Sequence, residues 1–260
     1  GALTGLALPS LAARFHGFHG GYSLYNMGFA CGVVGMAAMA LLRAFGLGNE
    51  KVSSFPLQGL DTPLLIWVLS LIALIALAGW LLSPGLAEAL AKLMRHPGRG
   101  SCGFAGQFGM GPVLFNMALL GLIATLYVFL SGGRLSGPVL GAILSLIGFG
   151  AFGKHPGNSW PVLLGAFVMS HLGNWHAGSD SIVIAALFGT SLTPIPGVFG
   201  WPAGILAGVL HIAVSANLGY LHGYVNLYNN GFASVFVAAA LSTLLTSLGR
   251  REDTPEQPQE

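Results

Sequence analysis

The chain carries one twelve-residue motif twice, as HGGYSLYNMGFA at residues 19–30 and as HGYVNLYNNGFA at residues 222–233. The two stretches agree at eight of twelve positions, with a constant offset of 203 residues. The same offset aligns glycines and leucines on both sides, so the repeat copies extend over residues 1–46 and 204–249. An internal repeat of this kind predicts two equivalent helical units that meet at a shared interface.

The composition around the motifs is that of a membrane protein. Hydrophobic residues make up 54% of the chain and charged residues 7%, where a soluble domain carries about 25% charged residues. Apolar runs of about twenty residues recur, which is the length that crosses a hydrocarbon core. We therefore expect an all-α membrane protein, a polytopic helical bundle whose partner is the lipid bilayer. The few, scattered basic residues exclude nucleic acid as a partner.

The apolar runs define one transmembrane domain, residues 1–249, followed by a polar tail at 250–260. Residues 83–110 carry Lys92, Arg95 and Arg99, and the first half of this segment predicts a short interfacial helix. The predicted membrane segments are a half-length run at 1–13 and full spans at 22–45, 62–82, 112–130, 137–152, 198–216 and 225–248.

Residues 160–171 and 182–192 are apolar but too short to span, and the polar stretch HLGNWHAGSDS joins them. We interpret them as the two halves of a broken or re-entrant helical element. Irregular backbone at membrane depth is tolerated only where it is buried in protein or lines a watery cavity. The pattern therefore predicts a cavity at this element.

Short basic loops usually face the cytoplasm. This rule predicts a multi-pass protein of the cell inner membrane, with the loop 83–110 and the C-terminal tail in the cytoplasm. Counted from that loop, the two motif-bearing spans run in opposite directions, which makes the repeat an inverted-topology repeat. The counterpart of residues 137–203 would precede Gly1, so we expect that an N-terminal part is missing from this chain.

The paired motifs, together with GKHPGN at 153–158 and NWHAGSDS at 174–181, resemble a family of bacterial multi-pass membrane proteins defined as a domain of unknown function. The resemblance implies a membrane location and a topology class. The chain is also similar to the urea transporters, which duplicate a helical unit and carry a Tyr-Asn element before a Gly-rich span. It lacks their pore-lining Pro-Phe elements.

Asp180 is the only acidic residue between Glu88 and Glu252, and an ionisable group at membrane depth is a candidate functional residue. It can act as a solute or proton site, or Ser179 and Asp180 can cap the helix that follows. Its hydrogen-bonding neighbours in the functional interpretation are Asn174, His176, Ser179 and Ser181. An alternative is a metal site made by His171, His176 and Asp180, although their spacing is no established ligand signature.

Each repeat copy places the same polar residues at the start of a span. Asn in hydrocarbon needs hydrogen-bond partners, and the glycine that follows lets a neighbouring helix approach. The clusters predict either a ring of hydrogen bonds for a solute or contacts that hold helices together. Their members are His19, Tyr25 and Asn26 in the first copy and His222, Tyr228 and Asn229 in the second.

These features predict a channel or secondary transporter for a small polar solute, and the scarcity of charge favours a neutral one. No phosphate-binding Gly-rich loop is present, so we expect neither ATP nor a cofactor. Two alternatives stay open: an intramembrane metal-dependent enzyme that uses His171, His176 and Asp180, and a non-transporting scaffold. Assembly into a homo-oligomer is compatible with each of these three interpretations.

Overall fold

The computed structural model describes residues 2–47, 61–100, 103–223 and 226–249, with the backbone alone at 2–4, 7 and 226–228. The tail at 250–260 lies outside these residues. No strand occurs in the described ranges. The helices in chain order are α1 (Ala2–His19), α2 (Asn26–Ala44), α3 (Asp61–Leu81), α4 (Leu86–Leu93), α5 (Phe104–Phe108), α6 (Met110–Leu130), α7 (Gly137–Phe149), α8 (Pro156–Leu172), α9 (Asp180–Gly189), α10 (Pro194–Phe199), α11 (Trp201–Asn217) and α12 (Asn226–Ser247), with 3₁₀ turns at Thr190–Leu192 and Gly219–His222.

The structure confirms the all-α polytopic bundle. Four of the described helices are long and apolar enough to cross a membrane, namely α2, α3, α6 and the Asn229–Ser247 part of α12. The predicted interfacial helix forms as α4, where Glu88 and Lys92 make an exposed ion pair of 2.8 Å. The first run is longer than its apolar residues indicated, because α1 continues past Arg14 to His19.

The two motif-bearing helices, α2 and α12, cross at their glycines. A Cβ atom built on Gly28 would lie 3.3 Å from the Cα of Gly231, and one built on Gly231 would lie 2.4 Å from the carbonyl carbon of Gly28. These glycines occupy the same position in the repeat, so the closest contact joins equivalent residues. Phe29 and Phe232, the next residues in each copy, bring their ring centroids to 5.5 Å.

Contacts on either side of this crossing show that α2 and α12 are antiparallel. The hydroxyl of Ser23, before α2, lies 3.1 Å from that of Ser234 inside α12. Towards the other end, His222 Nε2 lies 3.1 Å from the carbonyl oxygen of Gly32, and Arg43 donates to the carbonyl of Tyr220. Residue numbers thus rise along one helix as they fall along the other, as an inverted repeat requires.

The element predicted to be broken consists of two helices, α8 and α9, joined by the non-helical residues 173–179. Its first half is longer than residues 160–171, because α8 begins at Pro156, in a first turn where a missing N–H costs little, and it continues through Pro161. The second half is interrupted at Thr190–Leu192, between α9 and α10. The irregular backbone at this interruption bonds to another segment of the chain, because the carbonyl of Ser191 accepts a hydrogen bond of 2.9 Å from the amide of Leu24.

The connections gather at two ends of the bundle. At the first, which we call the basic end, Arg99 Nε donates to the carbonyl of Gly20 over 3.0 Å, and His155 Nε2 donates to the carbonyl of His96 over 2.8 Å. At the opposite end, Arg134 pairs with Asp61. α8 leaves the basic end beside α11, with which it packs closely through Gly165 and Gly208.

We expect Gly231→Ala to destabilise the protein by about 1–3 kcal/mol, because the added methyl group would overlap the backbone of α2. Gly28→Ala, whose methyl group has more room, should cost less. Gly148→Ala in α7 is the matched control, since nothing lies within 4 Å of its added Cβ. Thermal unfolding of the three variants, purified in detergent, measures the order of their stabilities. Equal melting temperatures would contradict a helix crossing at these glycines.

Candidate functional site

A cavity of about 760 Å³ lies beside the crossing of α2 and α12, between these helices and the pair formed by α7 and α9. Most of its wall is hydrocarbon, and the side-chain oxygens and nitrogens come from Tyr25, Ser145 and Asn230. Its lining residues are Leu24, Tyr25, Met27, Gly28, Cys31, Pro138, Gly141, Ala142, Ser145, Phe149, Ile184, Phe188, Asn230 and Gly231.

Behind this wall lies Lys154, whose side chain is fully buried. Its Nζ donates hydrogen bonds of 2.9 Å to the hydroxyls of Tyr25 and Thr190. It also lies 4.5 Å from the ring centroid of Tyr25 and 4.9 Å from that of Phe149. The Tyr25 hydroxyl is in turn 3.2 Å from the hydroxyl of Ser145. A hydrogen-bonded chain therefore connects the buried amine to the cavity wall.

Lys154 forms no ion pair with any carboxylate of the described residues, where the ion pairs are Lys92 with Glu88 and Arg134 with Asp61. An ammonium taken out of water without a counter-ion is costly. Complete burial accordingly lowers the pKa of Lys154 well below the usual range of lysine. The amine is thus held where a nearby negative charge would change its protonation.

The turn GKHPGN holds Lys154 in place from several directions. Asn116 in α6 donates to the Lys154 carbonyl over 2.8 Å, and Asn158 donates to the Gly153 carbonyl over 2.9 Å. Gly153 has φ +105°, and a Cβ there would lie 2.8 Å from the carbonyl oxygen of Gly98. A tight, glycine-dependent turn therefore directs a basic side chain inward instead of towards water.

Lys154 was not among the candidate residues singled out in the sequence. The signal available was a lone lysine inside a Gly-Pro turn between two apolar runs. The turn also buries His155. Burial lowers the pKa of His155 to about 4, and its ring donates to the carbonyl of His96.

A smaller cavity of about 230 Å³ lies at the basic end. It shares Leu24 and Phe149 with the large cavity, so these two side chains separate the two spaces. The backbone of Leu24 is fixed by its hydrogen bond to the carbonyl of Ser191. The lining of the smaller cavity comprises His16, Ser23, Leu24, Asn26, Gly100, Phe149 and Phe152.

The His and Asn residues of each motif pair with each other in the same way in both copies. His19 Nε2 lies 3.3 Å from Asn26 Oδ1, and His222 Nδ1 lies 2.8 Å from Asn229 Oδ1. Asn26 also donates to the carbonyl of Ala12 over 2.6 Å. These bonds tie each helix to the segment before it, which is the packing role considered for them.

Among the six motif residues predicted to form the polar clusters, Tyr25 lines the large cavity and Asn26 the small one. The side chain of Tyr228 lies outside the described residues. The second copy contributes a residue that the sequence interpretation missed, Asn230, whose Oδ1 accepts from Ser215 over 2.9 Å and faces His211 Nε2 at 3.3 Å. The sequence feature that could have indicated Asn230 is a difference between the copies, since the equivalent residue in the first copy is Met27.

The candidate residues of the HLGNWHAGSDS stretch lie at the end opposite the basic end, because they begin in the last turn of α8 and continue beyond it. They line neither cavity. Asp180 accepts a hydrogen bond of 2.6 Å from Ser136, and Ser179 makes no side-chain cap bond to α9. Ser179 is half-buried, and the exposed members of the group are His171, Asn174, His176 and Ser181.

The alternative metal site is not assembled. Among the described residues, no three His, Cys, Asp or Glu side chains lie close enough together to hold a metal ion. The ring of His171 instead donates to the carbonyl of Phe167 in its own helix, over 2.9 Å.

The sequence model of one family, described as "Protein of unknown function (DUF1576)", matches residues 1–44 and 83–247. The chain belongs to this family. The DUF1576 match contains every residue that lines either cavity, and Lys154 as well. It leaves out residues 45–82, which include α3. No curated protein and no solved structure matches the chain.

We expect acidification to destabilise the fold through His155. The folded protein keeps this ring neutral down to pH about 4, whereas the unfolded chain takes up a proton near pH 6.5. The stabilisation is complete above about pH 6.5 and is lost as the pH falls towards 4.

His155→Gln should therefore unfold at a temperature that falls less between pH 7.5 and 5 than that of the wild type. The control is His176→Gln, which changes an exposed ring and should keep the wild-type dependence. Thermal unfolding in detergent measures both. A wild-type pH dependence retained by His155→Gln would show that this ring is not the buried neutral group described.

Proposed function

We propose that this protein is a channel or secondary transporter that carries a small polar solute across the cell inner membrane. The observation that carries the proposal is the pair of cavities beside the inverted-repeat interface, which are separated by two side chains, Leu24 and Phe149. Transporters built on inverted repeats bind their solutes at such an interface, near the middle of the bilayer.

The walls of the large cavity suit a small, partly polar molecule. The hydroxyls of Tyr25 and Ser145 and the amide of Asn230 can replace part of the solute's hydration, which is how selective pathways compensate for dehydration. Ile184 and Phe188 from α9 cover the opposite side with hydrocarbon. A molecule with a few polar groups and an apolar part fits this surface.

Leu24 and Phe149 would form the constriction along the path. Apolar side chains at a narrow point oppose the passage of water and polar solutes until they move apart. Phe149 is the last residue of α7 and packs on Tyr25 with ring centroids 4.7 Å apart. Movement at the constriction is therefore linked to the polar residue that lines the cavity.

The orientation we propose places the basic end in the cytoplasm. Lys92, Arg95 and Arg99 belong to the connections at this end, and basic residues in short loops favour the cytoplasmic side. The small cavity would then face the cytoplasm. The large cavity would lie deeper in the membrane.

The first test is solute-driven swelling of proteoliposomes that contain the protein, with urea, glycerol, formate and small amino acids as solutes. Gly141→Leu should reduce the flux of the permeant solute to background, because residue 141 lines the large cavity and its added Cβ meets nothing within 4 Å. Gly148→Leu is the matched control on the same helix. It has the same free space and does not line the cavity, so its flux should equal that of the wild type.

Equal flux in the two variants, or no flux of any solute from monodisperse protein, would refute the path.

The natural cysteine in the cavity wall provides a second test. In a Cys102→Ser background, a water-soluble methanethiosulfonate reagent should modify Cys31, which lines the large cavity, and should lower flux at least several-fold. Cys31→Ser should resist the reagent, and Ala38→Cys in that variant places a thiol on an exposed part of α2 away from the cavity. Inhibition through residue 38 and not through Cys31 would place the path elsewhere.

A further inference from the structure

A basic residue lies next to the large cavity, and no acidic residue of the described part of the chain lines it. The acidic residues of the described part of the chain are Asp61, Glu88 and Asp180, and none of them lines either cavity. Lys154, by contrast, lies directly behind two of the lining residues, Tyr25 and Phe149. The large cavity is therefore next to a buried basic group and has no carboxylate in its described wall.

The hydrogen bonds between Lys154 and the cavity have a direction. A protonated amine can only donate, so the Tyr25 oxygen accepts from Nζ and its own hydrogen points onward. Ser145, 3.2 Å away, can accept that hydrogen and direct its own towards the cavity. A proton on Lys154 thus turns the wall hydroxyls into donors, which is the arrangement that an anion requires.

The remaining wall is hydrocarbon. Ala142, Ile184 and Phe188 line the cavity around Ser145. These side chains would exclude a strongly hydrated ion such as phosphate, because its charged oxygens point in all directions and would lose their water against hydrocarbon. They would accept the alkyl part of a molecule whose single charge is at one end.

From this arrangement we infer that the solute of the large cavity is a small aliphatic monocarboxylate, whose negative charge is balanced by a proton on Lys154. The inference rests on the proposed function and replaces the neutral solute favoured by composition alone. The carboxylate accepts a hydrogen bond from Ser145, whose hydroxyl oxygen accepts in turn from Tyr25, while its alkyl chain lies against α9. Anion and proton bind together, because each reduces the cost of burying the other.

The other groups around Lys154 leave the amine as the site of the proton. Tyr25 is the titratable side chain in contact with Nζ, and Thr190 is a neutral hydroxyl. His155, the next residue in the chain, directs its Nε2 to the carbonyl of His96. His16 lines the small cavity, on the other side of Phe149.

The test uses the rate at which the methanethiosulfonate reagent modifies Cys31 in the full-length Cys102→Ser protein, with butyrate or butyramide as the competing molecule. The two molecules have nearly the same shape and differ in charge. Butyrate should protect Cys31 at a concentration at least tenfold lower than butyramide does. The half-protecting butyrate concentration should rise up to tenfold per pH unit between pH 7 and 9, as the proton is lost, while that of butyramide stays constant.

Lys154→Gln should remove both the preference for butyrate and its pH dependence, whereas Lys154→Arg should keep the preference and lose the pH dependence. Ser145→Ala should weaken protection and retain the pH dependence. Equal protection by butyrate and butyramide in the Cys102→Ser protein overturns the inference even if the lysine variants do not fold. Protection by butyrate without flux of any solute would keep the anion site and reject transport.

Discussion

The contact between Gly28 and Gly231 is the constraint on which the arrangement of this bundle depends. Helices in a bilayer gain little from burying hydrocarbon against each other, since lipid is equally apolar, so close packing must supply the attraction. The missing side chains at these two positions allow the backbones of α2 and α12 to touch. Around this contact, the turn before α2 is bonded to α12 and to the broken segment after α9.

The irregular segments follow from that contact. The turn before α2 is held by the Ser23–Ser234 hydroxyl pair and by the Leu24–Ser191 backbone bond. Each of these joins a segment outside regular helix to another element, which satisfies polar groups that lipid cannot. The large cavity lies beside the contact between α2 and α12, and α7 and α9 supply its other walls.

The sequence predicted the helices well and the site only in part. Long apolar runs identify spans directly. The repeated motif indicated the α2–α12 pair, and the number of crossings between the copies predicted its antiparallel sense. The length of α8 was understated, because Pro156 in its first turn resembles part of a preceding turn when sequence alone is considered. The cavity was expected beside Asp180 because the polar connection there was taken to lie at membrane depth. Lys154 was missed for another reason: whether a loop lysine points to water or into protein depends on Asn116, Asn158 and Gly98, which are distant in sequence or unremarkable in pattern.

The exchange of Met27 for Asn230 between the repeat copies has a consequence for any rocking motion about the α2–α12 crossing. If the copies were identical, the two conformations related by the pseudo-twofold axis would have equal energy. Here one copy contributes a thioether to the cavity and the other an amide engaged by His211 and Ser215. In the transport cycle that we propose, the two conformations would therefore be unequal in energy, and the resting protein would be biased towards one side of the membrane before any solute or gradient acts on it.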